Sequence, residues 1–191
     1  MTEPIIYAIE EEHLKMDGLT AEIMPWEDGQ RIHTGRGSFE WWYFDAHLDD
    51  GSTAVIVFAT KPITNPRVPL LPNLSITITR PDGRKTAEFV LTGAGAFSAA
   101  QEACQVRLGD STVDWALEDG HWTYHLRAAS ATQSAELTFR GIVPPWRPGA
   151  GKAYFGSLER YFAWLPAIPH GSVHGTLTYD GQVHAVTGTG Y

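Results

Sequence analysis

The run Phe39-Glu40-Trp41-Trp42-Tyr43-Phe44-Asp45-Ala46 restricts what this chain can fold into more than any other stretch. It places two carboxylates among five aromatic rings, just ahead of an Asp49-Asp50-Gly51 turn. Dense aromatics suit a strand and not a loop. On a strand, alternate side chains point to opposite faces. One face then carries Phe39, Trp41, Tyr43 and Asp45, and the other carries Glu40, Trp42, Phe44 and Ala46. Each face holds large rings and one acid, so each is a plausible interior. A carboxylate walled by aromatics is desolvated, which raises its pKa towards the range of a working acid or base. The competing reading is a core strand whose acids reach a backbone donor or one of Arg31, Arg36 and Arg67.

The rest of the chain repeats the strand pattern. Thr53 to Ala59 is continuously apolar. Leu74, Ile76 and Ile78 alternate with Ser75, Thr77 and Thr79, and Pro81-Asp82-Gly83 follows as a turn towards Ala87 to Leu91. Val113, Trp115 and Leu117 alternate up to Asp119-Gly120, a strong hairpin signal. Trp122, Tyr124 and Leu126 return from it, and Leu137 and Phe139 continue the pattern. Val173, Leu177 and Tyr179 lead into a second such turn, Asp180-Gly181, and Val183 to Thr187 returns. Helical periodicity is confined to a short turn near Ser157 to Ala163. Short strands with Asp-Gly turns predict an all-β fold, an antiparallel barrel or sandwich. No linker divides the 191 residues, so residues 1–191 are expected to form one domain. Pro144 to Pro169 is long for a structureless connection, and it is expected to cover a barrel mouth or cross one end of the sheet.

Composition narrows the partners. A hydrophobic fraction of 43% supports a real core, and seven Trp suit a site for flat or greasy ligands as well as a filled barrel. The net charge of -8 argues against a nucleic-acid backbone or an anionic membrane surface as the main partner. The one cysteine, Cys104, excludes an internal disulfide framework and reads as a small buried hydrophobe. Met1 to Leu19 has neither the cationic start nor the apolar block of a signal peptide, and no apolar run is long enough to span a bilayer. The expectation is a cytoplasmic protein. His121 and His125, like His170 and His174, are too widely spaced along a strand to hold one ion, so no metal and no cofactor is expected. Gly149-Ala150-Gly151-Lys152 fails as a phosphate loop, because Ala153 stands where Ser or Thr belongs.

Two segments carry a family resemblance. Glu40-Trp41-Trp42-Tyr43-Phe44-Asp45 with Asp49-Asp50-Gly51 looks like the N-terminal signature of the AttH-like group. That group includes carotenoid 1,2-hydratase (hydroxyneurosporene synthase) and is similar to the fungal lipocalin-like Diels–Alderases. Tyr161 to Gly171, then Val173-His174-Gly175-Thr176-Leu177 and Gly188-Thr189-Gly190-Tyr191, resembles the group's later motif. In the group a His-Asp-His-Asn-Trp-Gly string follows the last tyrosine, and members resemble two lipocalin-like β-domains in tandem. The chain therefore resembles the first domain, with a second C-terminal one missing.

The resemblance implies a lipocalin-like fold and an aromatic-lined cavity for a hydrophobic isoprenoid or polyketide. It implies hydration, cyclisation or cycloaddition. An acid in an apolar pocket supplies a proton, and Trp and Tyr faces stabilise a cation. A cycloaddition needs only shape, exclusion of water and hydrogen-bond donors. On this reading Glu40, Asp45 and Tyr191 are the candidate catalytic residues, and Trp41, Trp42, Tyr43, Phe44 and Trp164 are the candidate ligand contacts. Glu40, with Trp42 beside it, is favoured as the functional acid, because Asp45 stands near the turn and its capping donors. The alternative is a non-catalytic lipid- or isoprenoid-binding module, or half of a two-domain complex. A second domain or self-association would then cover an exposed apolar patch.

Overall fold

The computed structural model describes residues 4–32 and 35–191. The chain runs β1 (Ile5–Tyr7), α1 (Glu11–Met16), a single 3-10 turn at Pro25–Asp28, β2 (Trp41–Leu48), β3 (Thr53–Ala59), β4 (Asn73–Thr79) and β5 (Lys85–Leu91). A second 3-10 turn precedes β6 (Phe97–Ala99), β7 (Gln105–Leu108), β8 (Ser111–Glu118), β9 (His121–Ala129) and β10 (Ser134–Gly141). Next come β11 (Lys152–Phe155), β12 (Tyr161–Ala163), β13 (Gly171–Tyr179) and β14 (Gln182–Gly190). Among the described residues, eleven strands form one antiparallel sheet in the order β5-β4-β3-β2-β14-β13-β10-β9-β8-β7-β6. The sheet curls into a half-barrel of lipocalin-like form, with β5 and β6 at its two edges. The all-β expectation therefore holds, with α1 a six-residue addition that the apolar pattern did not signal.

The alternation read from the sequence sets which face is inside. Trp42, Phe44, Ala46 and Leu48 of β2 are buried, as are Ala54, Ile56 and Phe58 of β3 and Leu74, Ile76 and Ile78 of β4. Tyr124, Leu126, Leu137, Phe139, Val173 and Leu177 close the core from the other side. Phe44 packs at 5.3 Å from the Phe139 ring and 5.7 Å from that of Tyr124, and Trp42 lies 6.5 Å from Phe97. The interior beside β2 is thus filled by rings at the spacing of aromatic pairs. Leu117 departs from its expected partners and is exposed near the end of β8, beyond the reach of the core.

The turns follow the predicted chemistry. Asp119-Gly120 and Asp180-Gly181 have positive φ at both central residues, at 50° and 79° and at 52° and 71°, which matches the right-handed strand twist. β14 pairs with β2 through Gly188, Thr189 and Gly190. The approach there is close: a Cβ on Gly190 would stand 2.4 Å from the Asp45 carbonyl oxygen. Glycine at that position lets β14 lie against β2 and sets Tyr191 opposite Asp45.

Pro144 to Pro169 is not structureless. It contributes β11 and β12, which join β1 in a second antiparallel sheet ordered β1-β11-β12. This sheet has its own small core of Ala8, Ala150 and Tyr154 against Leu19. Through Phe162 and Trp164 it meets the outer face of β2 and the end of β14.

Candidate functional site

The two faces of β2 separate the candidate residues into two groups. The outward face carries Trp41, Tyr43 and Asp45. Asp45 does not lie at a turn. It sits mid-strand and is backbone-paired to Tyr191: its N–H donates to the Tyr191 carbonyl at 2.9 Å and its carbonyl accepts the Tyr191 N–H at 3.0 Å. The turn donors go instead to Asp50, whose carboxylate accepts the Ser52 N–H and hydroxyl at 2.8 and 2.6 Å. Directly opposed residues of an antiparallel pair share a face. Asp45 and Tyr191 therefore project together, with Tyr43 one step along the strand. The Tyr43 and Tyr191 rings are 6.2 Å apart. Trp164 closes the group: its ring lies 6.3 Å from that of Tyr191, and its indole N–H donates to the Tyr191 hydroxyl at 2.5 Å.

Trp41 extends this surface. It stacks on Phe39 at 5.2 Å and meets Phe162 at 5.8 Å. Tyr43, Phe162 and Trp164 are 39%, 41% and 51% exposed, so the rings form an open apolar surface and not a core. Burial raises the Tyr191 hydroxyl to about 12, helped by the nearby Asp45 and Tyr43 and opposed by the Trp164 hydrogen bond. The Tyr43 hydroxyl is raised too, by burial and then by the charge of Asp45 and its hydrogen bond. Both phenols are therefore protonated at neutral pH. With its oxygen already accepting from Trp164, Tyr191 keeps its own proton to donate.

The inward face carries Glu40, Trp42 and Phe44, and it leads to an acid that the sequence did not single out. Asp28, at the end of the Pro25–Asp28 turn, accepts the Tyr124 hydroxyl at 2.6 Å and a bond from the Cys104 thiol. Its carbonyl accepts the Trp42 indole N–H at 3.1 Å. Burial raises its carboxyl to about 7; Tyr124 opposes the shift and the charge of Glu40 adds to it. Glu40 is likewise raised to about 7, by burial first, against hydrogen bonds from the backbone of Arg31 and Ile32. Its Oε1 accepts the Arg31 N–H at 2.9 Å, while its Oε2 is buried without a partner. The Arg31 guanidinium turns instead to the carbonyls of Gly29 and Gln101 and lies over the Trp26 ring. Asp28 escaped the sequence reading because Pro-Trp-Glu-Asp in a polar stretch has no strand pattern to mark its burial.

Trp42 and Phe44 are therefore core rings packed against neighbours. Trp41, Tyr43, Asp45, Trp164 and Tyr191 converge on one accessible surface. Glu40 stands apart from that surface, on the inner side with Asp28. Among the described residues no three His, Cys, Asp or Glu side chains converge as a metal ion would require. No helix among them is long and apolar enough to cross a membrane.

No known protein-family model matches the chain, and no curated protein matches it. Among solved structures it is similar to a Nitrosomonas europaea protein provisionally named AttH, with a TM-score of 0.66 and 19% identity. The match covers 90% of this chain and 54% of that one, so the chain spans about half the length of the structure it matches. At this level of identity the likeness is one of fold, and the fold of the chain is AttH-like.

Proposed function

We propose that the outward aromatic surface of β2, with Tyr191 and Trp164, binds a hydrophobic small molecule of the isoprenoid or polyketide class. One observation supports this above the others: exposed rings gather around a cross-strand pair of a carboxylate and a phenol. Flat apolar ligands gain from aromatic contact, and a few placed polar groups fix their orientation. The Tyr191 hydroxyl donates a hydrogen bond to a ligand carbonyl or hydroxyl, and Asp45 holds the neighbouring Tyr43.

The chemistry that suits this surface is cyclisation or cycloaddition in the manner of the AttH-like and lipocalin-like Diels–Alderase resemblance. A phenol raised to about 12 is a poor source of a free proton and a good hydrogen-bond donor. Hydration of an isolated alkene needs a stronger acid, and the groups suited to that lie on the inner side, at Glu40 and Asp28. A second reading, a binding module without catalysis, rests on the openness of the surface. Catalysis calls for a water-excluded site, which a further domain or a second copy over this face would complete.

The test is titration of the chain with all-trans-retinol, a polyene isoprenoid, read by quenching of Trp fluorescence. Saturable quenching is expected, with none from adenosine monophosphate. Trp164→Ala and Tyr191→Phe each weaken binding by about tenfold, equivalent to about 1.4 kcal/mol. Quenching that does not saturate, or that both variants leave intact, overturns the proposal.

A further inference from the structure

At the end of β14 farthest from Tyr191, three hairpin turns converge around a cleft of about 510 Å³. They are the turn from β4 to β5, the turn from β9 to β10 and the Asp180-Gly181 turn. Gln133 forms part of its wall and is only 3% exposed. Its backbone is fully engaged, with the N–H bound to the Ser130 hydroxyl at 3.1 Å and the carbonyl accepting the Ser130 N–H at 2.8 Å. Its side-chain amide has no partner at either nitrogen or oxygen. Buried amides without a protein partner are rare in folded proteins, and their bonds are completed by an ordered water or by a ligand. Gln133 is a lining residue of the cleft, and the last torsion of a Gln side chain is broad, so its amide can turn either its donor or its acceptor end to an occupant.

The neighbouring groups set the chemistry of the occupant. Arg80 lines the same cleft, its guanidinium is committed to Asp180 at 2.6 Å and to the Thr86 hydroxyl, and its Nε–H is unpaired. Arg84 is held by Asp82. The remaining nearby acids, Glu88 and Asp50, are bound to the hydroxyls of Thr132 and Ser52. The charge around the cleft is thus balanced or negative, which disfavours a phosphate, sulfate or carboxylate. Both faces of Tyr179 are occupied, one stacked on His184 at 4.0 Å and one under Arg80, so no ring is left to stack on a ligand. What remains is an amide with donors and an acceptor, one N–H donor and the hydroxyls of Ser134 and Thr178.

We infer that this cleft binds a small neutral polyhydroxylated molecule, a sugar or cyclic polyol, through the Gln133 amide and the Arg80 Nε–H. Adjacent hydroxyls both donate and accept, which is what an amide edge requires. The site is independent of the aromatic surface, and either can fail without the other.

The test follows the side-chain amide resonances of Gln133 by nuclear magnetic resonance as the whole chain is titrated with glucose or myo-inositol. Inorganic phosphate and acetate serve as anionic probes. The expected result is a saturable shift of these resonances and of the Arg80 Nε–H with at least one polyol and none with the anions. Gln133→Leu is expected to weaken the shift of Arg80 by about tenfold. Three results would overturn the inference: no saturable shift with either polyol, which would leave the amide to water alone; a stronger response to phosphate or acetate; or full polyol binding by a folded Gln133→Leu. The wild-type amide signal decides the first two without any variant.

Discussion

At the scale of single residues, Asp28 and Glu40 make the folded chain sensitive to pH. In an unfolded chain their carboxyls ionise near the ordinary values of 3.8 and 4.5, whereas in the fold both stay protonated up to about 7. Across that window the folded state holds more protons than the unfolded one, so stability is greatest at the acid end and falls as pH rises towards 7. Thermal melts at about pH 5 and about pH 8 check this: the wild type is expected to melt lower at the higher pH, and Asp28→Asn to show a smaller difference. An equal difference in the variant would remove Asp28 as a cause. The sequence displayed Glu40 because it stands in an aromatic strand, and the two-residue period assigned its face to Trp42 and Phe44. It could not display Asp28, which becomes buried only because Tyr124 and Cys104, far along the chain, fold over it. Asp45 misled for a related reason: proximity to a turn in sequence does not show that the strand continues past it to Leu48.

At the scale of elements, the Pro25–Asp28 turn is fastened to the body of the fold by a buried ion pair. The Glu27 carboxylate meets the Arg147 guanidinium at 2.6 Å, with both side chains 5% exposed. Arg147 also donates to the Thr20 carbonyl at 2.7 Å and to that of Gly149. Removing one partner of such a pair leaves the other charge buried, at a cost of about 3 kcal/mol. Arg147→Met is therefore expected to destabilise strongly, and the double variant with Glu27→Leu to recover part of the loss, as read by urea melts. If the single variant melts like the wild type, the turn is held by other means. Most strands of the large sheet were legible element by element, because alternation and Asp-Gly turns are local signals. The strands β1, β11 and β12 were not: they are three or four residues long, and although β12 pairs locally with β11, the sheet is completed only by β1 pairing with β11 across more than a hundred positions, as Ile5 does with Phe155. Their placement over β2 is what brings Trp164 to Tyr191.

At the scale of the whole molecule, a filled half-barrel carries its accessible aromatic surface on the outside. Phe162, Trp164 and Tyr43 are exposed there, and Ile5, Ile6 and Tyr7 are exposed on β1, the far edge strand of the second sheet. Apolar surface of this kind marks interaction sites. A dye that reports exposed apolar surface, anilinonaphthalene sulfonate, is expected to fluoresce on the native chain, and retinol to displace it. A native chain that leaves the dye dark would argue against the surface. The barrel fold was legible from its repeating strands, but which side of β2 remained accessible depended on how the second sheet and the Pro25–Asp28 turn pack, and no local pattern carries that. The most direct measurement is fluorine magnetic resonance of the chain with its seven Trp replaced by 5-fluorotryptophan, titrated with retinol. The signals of Trp41 and Trp164 are expected to shift while those of Trp42, Trp115 and Trp122 stay fixed; a shifting Trp42 signal with Trp41 and Trp164 unmoved would contradict a binding surface on the outer face of β2.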